Sequence, residues 1–340
     1  MWEILLTACL TAAPTTCETH RRAGGADYAA CRARAETQAL PAGWRPESWP
    51  CVRAGETPEM AVTEVAAGVF VRRGVHELST TGNAGAIANA GFVIGDEAVA
   101  VIDSGGSYED GRNLLAAIRA RTDLPVRWLI LTHMHPDHVL GAAAFVDAGA
   151  TVVGHANLPR ALATRGGSYI EGAVRAFGDI GATRIVAVDE TVDTTREIDL
   201  GGRLLLLEAH PVAHTDNDLT VRDLATDTWF LGDIVFMSHL PTMDGSVNGW
   251  IALLDDLTVR EAARVVPGHG PVSYAWPDAA APIRAYLAHL REAAREAVRE
   301  GRPMLEATRA IARRTPPGWA LTEAFAERNA TVAIREMEWE

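Results

Sequence analysis

His133-Met134-His135-Pro136-Asp137-His138 follows directly on the apolar run Val126-Arg127-Trp128-Leu129-Ile130-Leu131-Thr132. The run reads as a buried strand, and a chain leaving the end of a strand turns. A turn lets His133, His135, Asp137 and His138 enter one cavity, where a continued strand would alternate them between two faces. Imidazole nitrogens and a carboxylate suit a borderline ion such as zinc. Four candidate ligands in six residues exceed what one catalytic zinc takes while keeping a position for water, so the spacing points to two metals.

Such a site draws further ligands from elsewhere, and three candidates occur in order. His214 lies in Ala213-His214-Thr215-Asp216-Asn217, just after the strand-like Leu204 to Glu208. Asp233 lies in Leu231-Gly232-Asp233, and His269 in Val265-Val266-Pro267-Gly268-His269-Gly270. Each is expected at a strand end, beside glycine or small residues that let backbones approach closely.

Outward from the histidines the chain alternates strands and helices. Val69 to Arg72, Gly91 to Gly95 and Ala98 to Asp103 read as strands, the last two joined as a hairpin at Gly95-Asp96. A helix is expected over Gly111 to Arg121, another over Leu140 to Ala148, and a strand at Thr151 to Gly154. Ile198 to Glu208 reads as a second hairpin through Gly201-Gly202, and Leu219 to Arg222 and Thr228 to Leu231 continue a sheet. From Pro277 the pattern is helical, with Ile283 to Arg299 strongly amphipathic. This is the pattern of an α/β protein with layered sheets.

The ordered set Asp103, His133-x-His135-x-Asp137-His138, His214, Asp233, His269 resembles the five motifs of the metallo-β-lactamase superfamily, over roughly Val62 to Ser273. The resemblance implies a four-layer αββα sandwich with two Zn2+ at one edge. It implies that His133, His135 and His214 hold the first zinc and that Asp137, His138 and His269 hold the second. Asp233 would bridge both, with Asp137 and Asp233 as catalytic carboxylates and Asp103 orienting the histidine loop from behind the ligands. A narrower likeness rests on Gly154-His155-Ala156-Asn157-Leu158-Pro159-Arg160-Ala161-Leu162, His214-Thr215-Asp216-Asn217-Asp218-Leu219-Thr220-Val221, His239-Leu240-Pro241 and the terminal Glu338-Trp339-Glu340. These phrases, with the short leader and the Cys/Trp-rich segment, are similar to the quinoprotein relay system zinc metallohydrolases, which implies a link to periplasmic quinoprotein alcohol oxidation.

Residues 1–13 carry an apolar run ending at Ala12-Ala13 and read as a signal peptide, so a periplasmic or secreted location is expected. No Lys or Arg precedes the run, and a frayed terminus or a misassigned start is the competing reading. Residues 17–60 read as an N-terminal Cys/Trp-rich appendage with a helix over Ala26 to Thr37, residues 61–275 as the catalytic domain, and residues 276–340 as a C-terminal helical segment. All four cysteines fall by Cys51, away from the metal motifs. With Cys9 removed, one disulfide is expected among Cys17, Cys31 and Cys51, its pairing open. The net charge of −13 and the lack of a Lys/Arg stripe argue against nucleic-acid binding. No stretch reaches the about 18 apolar residues of a membrane span, and a soluble mature protein is expected.

The expected function is metal-assisted hydrolysis of an ester-, thioester- or amide-like bond in a small-molecule substrate. Two alternatives stand beside it: a mono-iron persulfide dioxygenase-like enzyme, and a non-enzymatic metal-binding accessory protein for quinoprotein maturation. His239, six residues past Asp233, is a candidate substrate contact. His155 and His210 read as structural. His76 opens a segment, through Gly82-Asn83-Ala84-Gly85, that is either a flap over the metals or a simple hairpin loop. Specificity is expected from that segment, from Gly166 to Tyr169, and from Ser238 to Trp250.

Overall fold

The computed structural model describes residues 2–53, apart from 12, 27, 36, 38, 41, 49 and 50, and all of residues 60–340. The N-terminal residues form a sheet of their own. Its central strand β1 (Trp2–Leu10) pairs with β2 (Ala13–Gly25), β3 (Trp44–Ser48) and β4 (Cys51–Arg53). Ile4 and Leu6, within the apolar run expected as a leader, are buried there with Cys31 and Cys51. Helix α1 (Tyr28–Ala35) lies inside the expected Ala26 to Thr37 span, and a disulfide joins Cys31 to Cys51. The Cys17 side chain lies outside the described residues.

Beyond Val62, short β-branched and aromatic runs build two large sheets. The first contains β5 (Thr63–Ala66), β6 (Val69–Arg72), β7 (Ala90–Ile94) and β8 (Val99–Ile102). Helix α2 (Tyr108–Arg119) then leads to β9 (Val126–Leu131). Short helices α3 (Pro136–Val139) and α4 (Ala142–Val146), strand β10 (Thr151–His155), helix α5 (Leu158–Phe177) and β11 (Glu190–Val192) follow. The order across this sheet is β11-β10-β9-β8-β7-β6-β5, and β8, β9 and β10 run parallel. The second sheet has the order β12 (Thr195–Asp199), β13 (Leu204–Ala209), β14 (Leu219–Asp223), β15 (Thr228–Phe236) and β16 (Arg264–His269). Helix α6 (Val247–Leu257) connects the last two strands. Helices α7 (Ala281–Arg299), α8 (Met304–Arg313) and α9 (Thr322–Met337) close the chain.

Period-two alternation assigns the layers. Val69, Val71, Val93, Ile102 and Ile130 meet Leu205, Leu207, Val221 and Phe230 between the sheets. Their neighbours Phe70, Phe92, Val101, Leu129 and Leu131 face outward onto α2, α4 and α5. The outer face of the second sheet is covered by α6 to α9 through Trp229, Trp250, Leu254, Leu287 and Ile334. Two sheets are thus packed face to face between helical layers, the expected αββα sandwich.

Three local expectations need correction. Of the helix expected over Leu140 to Ala148 only α4 forms; α3 precedes that span, and the two are separated at Gly141, where a Cβ would lie 2.0 Å from the Ser104 carbonyl oxygen. Helix α5 was not anticipated, because Pro159 and Gly166-Gly167 interrupt its pattern. Asp233 is not at a strand end: β15 continues through it to Phe236. Gly232, with φ +50, shifts the register there and turns the Asp233 side chain out of the regular pleat.

Candidate metal centre

Strands β8, β9 and β16 and the loop after β13 end at one edge of the sandwich, and the bulge of β15 faces the same edge. Asp103, just past β8, adopts a left-handed backbone with φ +61. Its Oδ1 accepts from the Thr132 amide at 2.8 Å, and its Oδ2 lies 2.8 Å from His138 Nδ1. That contact pins the His138 ring and turns Nε2 inward. His135 is held by the opposite nitrogen: Nε2 lies 2.9 Å from Asp244 Oδ2, which leaves Nδ1 facing inward. His214 rests edge-on against Trp250 at 4.9 Å, and His269 stacks on Phe236 at 4.7 Å.

These constraints gather seven side chains into two buried groups: His133, His135, His214 and Asp233, and beside them Asp137, His138 and His269. In the first group His135 Nδ1 and His214 Nε2 are 3.0 Å apart. Asp233 Oδ2 lies 3.5 Å from His133 Nε2 and 3.3 Å from His214 Nε2. In the second, Asp137 Oδ2 is 3.1 Å from His269 Nε2 and 3.7 Å from His138 Nε2. Asp233 Oδ1 lies 3.1 Å from His138 Nε2 and 3.5 Å from His269 Nε2. The Asp233 carboxylate therefore turns one oxygen to each group. Residues 84–269 match the family profile described as "Metallo-beta-lactamase superfamily".

The chain belongs to the metallo-beta-lactamase superfamily. Among solved structures, a metallo-beta-lactamase from Pontibacter korlensis is similar with 20% identity and TM-score 0.55, covering 68% of this chain and 99% of that one. A double mutant of the sec-alkyl sulfatase PisA1 is similar with 16% identity and TM-score 0.55, covering 81% of this chain and 49% of that one. At those identities the likeness is one of fold. A 51-residue stretch is 40% identical to the linear primary-alkylsulfatase of Pseudomonas sp. (strain ATCC 19151), 15% of this chain but only 10% of that protein. Family, fold and buried ligand groups together support a metal-dependent hydrolase.

The donor set of this superfamily member fits a dinuclear centre. Tetrahedral bonds of about 2.0–2.1 Å place ligand atoms about 3.3–3.4 Å apart, and the distances above bracket that spacing. His133 Nε2, His138 Nε2 and Asp233 Oδ1 are buried without a hydrogen-bond partner among the described residues. Buried polar atoms left unpaired are costly, and metal coordination satisfies them.

Electrostatics divide the histidines. Burial lowers His135, against the pull of Asp244, and drives His214 down to about 3, so both are neutral donors at pH 7. Burial opposes charge on His138 and His269 too, but the carboxylates outweigh it. Asp233 and Asp103 raise His138 well above its usual value, and Asp233 and Asp137 raise His269 to about 9. Burial works against ionisation of Asp137 and Asp233, yet His138 and His269 hold both carboxyls below the usual range.

Asp244 and Trp250, which fix the His135 and His214 rings, are the site residues that sequence reasoning missed. His239 lines the cleft over the metal centre; its Nδ1 lies 2.9 Å from the Leu240 carbonyl and its Nε2 has no partner among the described residues. His155 accepts from the Asn157 amide and His210 bonds Thr220 Oγ1, and neither belongs to the two groups. The segment after His76 folds around Asn83, which bonds Leu78, Thr80 and Gly85, and it contributes Glu77, Leu78, Ser79 and Ile87 to the cleft wall.

Proposed function

We propose that this protein is an exported, zinc-dependent hydrolase that cleaves an ester-, thioester- or amide-like bond in a small molecule. In this reading His133, His135 and His214 hold one zinc and Asp137, His138 and His269 the other, with Asp233 spanning both. The observation that carries it is the pair of buried groups sharing the Asp233 carboxylate at the floor of one cleft of about 530 Å³. Zinc ions held there would supply an acidified water and polarise the electrophile. Asp137 and Asp233 would orient the nucleophile and hold its proton. Asp103 and Asp244 fix the rings of His138 and His135 from behind. His239 is the candidate substrate contact.

The alkylsulfatase match favours adding sulfate esters to the substrates considered. The test is elemental analysis for zinc, with turnover measured on esters, thioesters, lactones, lactams and alkyl sulfates. Undiminished zinc in the His133→Ala/His135→Ala double variant would sink the ligand assignment. Two zincs without turnover would favour the accessory-protein role, and iron with oxygen uptake on a persulfide would favour the dioxygenase. Export and the quinoprotein link rest on the sequence resemblance. N-terminal sequencing of periplasmic protein separates cleavage near Ala13 from retention of β1. Undisturbed quinoprotein alcohol oxidation in a strain lacking the protein would remove the link. No helix among the described residues is long and apolar enough to cross a membrane.

A further inference from the structure

The wall of the metal cleft carries Arg165, Arg175 and Arg328 on a chain whose net charge is −13. Arg165 on α5 and Arg328 on α9 both approach Asp244, the carboxylate already engaged by His135. Arg328 Nη2 donates to Asp244 Oδ1 at 2.8 Å. Arg165 Nη1 stands 3.6 Å from Oδ2, beyond hydrogen-bond reach, with its side chain 43% exposed. Two guanidiniums thus share one carboxylate, and most of their N–H donors are left for something else.

A second observation points to the same place. Tyr169 lies one helical turn beyond Arg165 on α5, on the same face, and lines the same cleft. Its hydroxyl oxygen is buried with no hydrogen-bond partner among the described residues. Burial pushes that hydroxyl up to about 12, so at neutral pH it keeps its proton and can donate. Leu78 and Phe325 give the cleft apolar wall.

We propose that Arg165, Arg328 and the Tyr169 hydroxyl form an oxyanion-binding subsite beside the metal centre, for a substrate carrying a carboxylate or sulfate group on an otherwise apolar body. Planar guanidiniums match both oxyanions. The proposal deepens the hydrolase reading and rests on it for calling the ligand a substrate.

The test uses the zinc-loaded full chain as wild type, Arg165→Gln, Arg328→Gln, the double variant and Tyr169→Phe, with zinc content checked in each. Calorimetry measures binding of glutarate and of inorganic sulfate. Kinetics compare mono-4-nitrophenyl glutarate and 4-nitrophenyl sulfate with the uncharged 4-nitrophenyl butyrate. Binding of at least one anion should weaken about tenfold to a hundredfold in the double variant, the range for losing charge-assisted hydrogen bonds. The ratio of kcat/KM for charged over uncharged ester should fall by a similar factor. Tyr169→Phe should show a smaller loss, and because it keeps the ring it stays informative if the arginine variants do not fold. A response to glutarate alone identifies a carboxylate, and to sulfate alone a sulfate. Unchanged binding of both anions in every variant overturns the subsite. Turnover of none of the esters, with anion binding still dependent on the arginines, overturns the hydrolase reading and leaves the subsite standing.

Discussion

A methyl group at Gly268 would occupy the space of the Asp233 carboxylate. A Cβ built there lies 2.0 Å from Asp233 Oδ1, about 1.4 Å short of the 3.4 Å at which ordinary contact begins. The Gly232 carbonyl carbon and oxygen, at 2.7 and 2.9 Å, block retreat of the backbone. Gly268→Ala therefore forces the carboxylate that spans both groups to move by more than the roughly 0.2 Å that coordination tolerates. Disturbing groups that merely support ligands costs about 10–100-fold in metal affinity, and displacing the shared carboxylate should cost at least that. Zinc affinity is measured by competition with a chromogenic chelator, with circular dichroism to confirm the fold. Gly167→Ala is the control, since nothing lies within 4 Å of a Cβ there. A folded Gly268→Ala protein that binds two zincs with wild-type affinity would show that the Asp233 carboxylate is not a shared ligand.

Other predictions follow from the same geometry. Asp244→Asn removes the charge behind His135 while keeping the side chain's shape, and zinc affinity should fall about 10–100-fold; unchanged affinity in the same chelator competition would mean His135 is held by packing alone. Trp250 is fully buried against His214 and donates to the Ile234 carbonyl at 2.9 Å. Trp250→Ala should lower stability by about 3–5 kcal/mol, read as a shift in urea midpoint at constant slope. The His269 pKa of about 9 lies above its ordinary 6.5, and His138 is displaced the same way. The His269 contribution to stability is then complete below pH 6.5 and is lost as pH rises through 9, and that of His138 is lost in the same direction. Chelator-treated protein should melt at lower temperature near pH 9.5 than near pH 7.5, a range in which the lowered His135 and His214 are neutral in both the folded and the unfolded chain, and the difference should shrink in His269→Asn. Equal melting temperatures in the parent would contradict that sign. Zinc binding near pH 7 should correspondingly release protons, measurable by calorimetry in buffers of different ionisation enthalpy.

The residues named from sequence that converge in the structure share one property: each is a rare, chemistry-bearing type beside an apolar strand. His133 to His138 after β9, and His269 at the end of β16, could be read because strand ends are local features. Asp244 could not. It sits in Thr242-Met243-Asp244-Gly245 with no apolar run beside it, and its partner His135 is 109 residues away. Helix α5 was hidden for a related reason: Gly166 weakens its pattern, yet that glycine is where Ile185 packs, with a Cβ position only 2.7 Å from Ile185 Cγ1. Tertiary packing there overrides local propensity. The place of Asp233 inside β15 depends on the left-handed Gly232, which in sequence looks like an ordinary turn glycine. The alternation of strand-like and helical runs pointed to an α/β protein with layered sheets, and the αββα arrangement came only with the family resemblance, because parallel and antiparallel pairing has no comparable local signature.

In the proposed centre two metal ions lie on either side of the Asp233 carboxylate. Anomalous diffraction from zinc-loaded crystals, collected on both sides of the zinc absorption edge, tests it directly. Two edge-dependent peaks are expected, one among His133, His135 and His214 and one among Asp137, His138 and His269, each beside a different Asp233 oxygen. A single peak, or zinc bound anywhere other than these two groups, would contradict it.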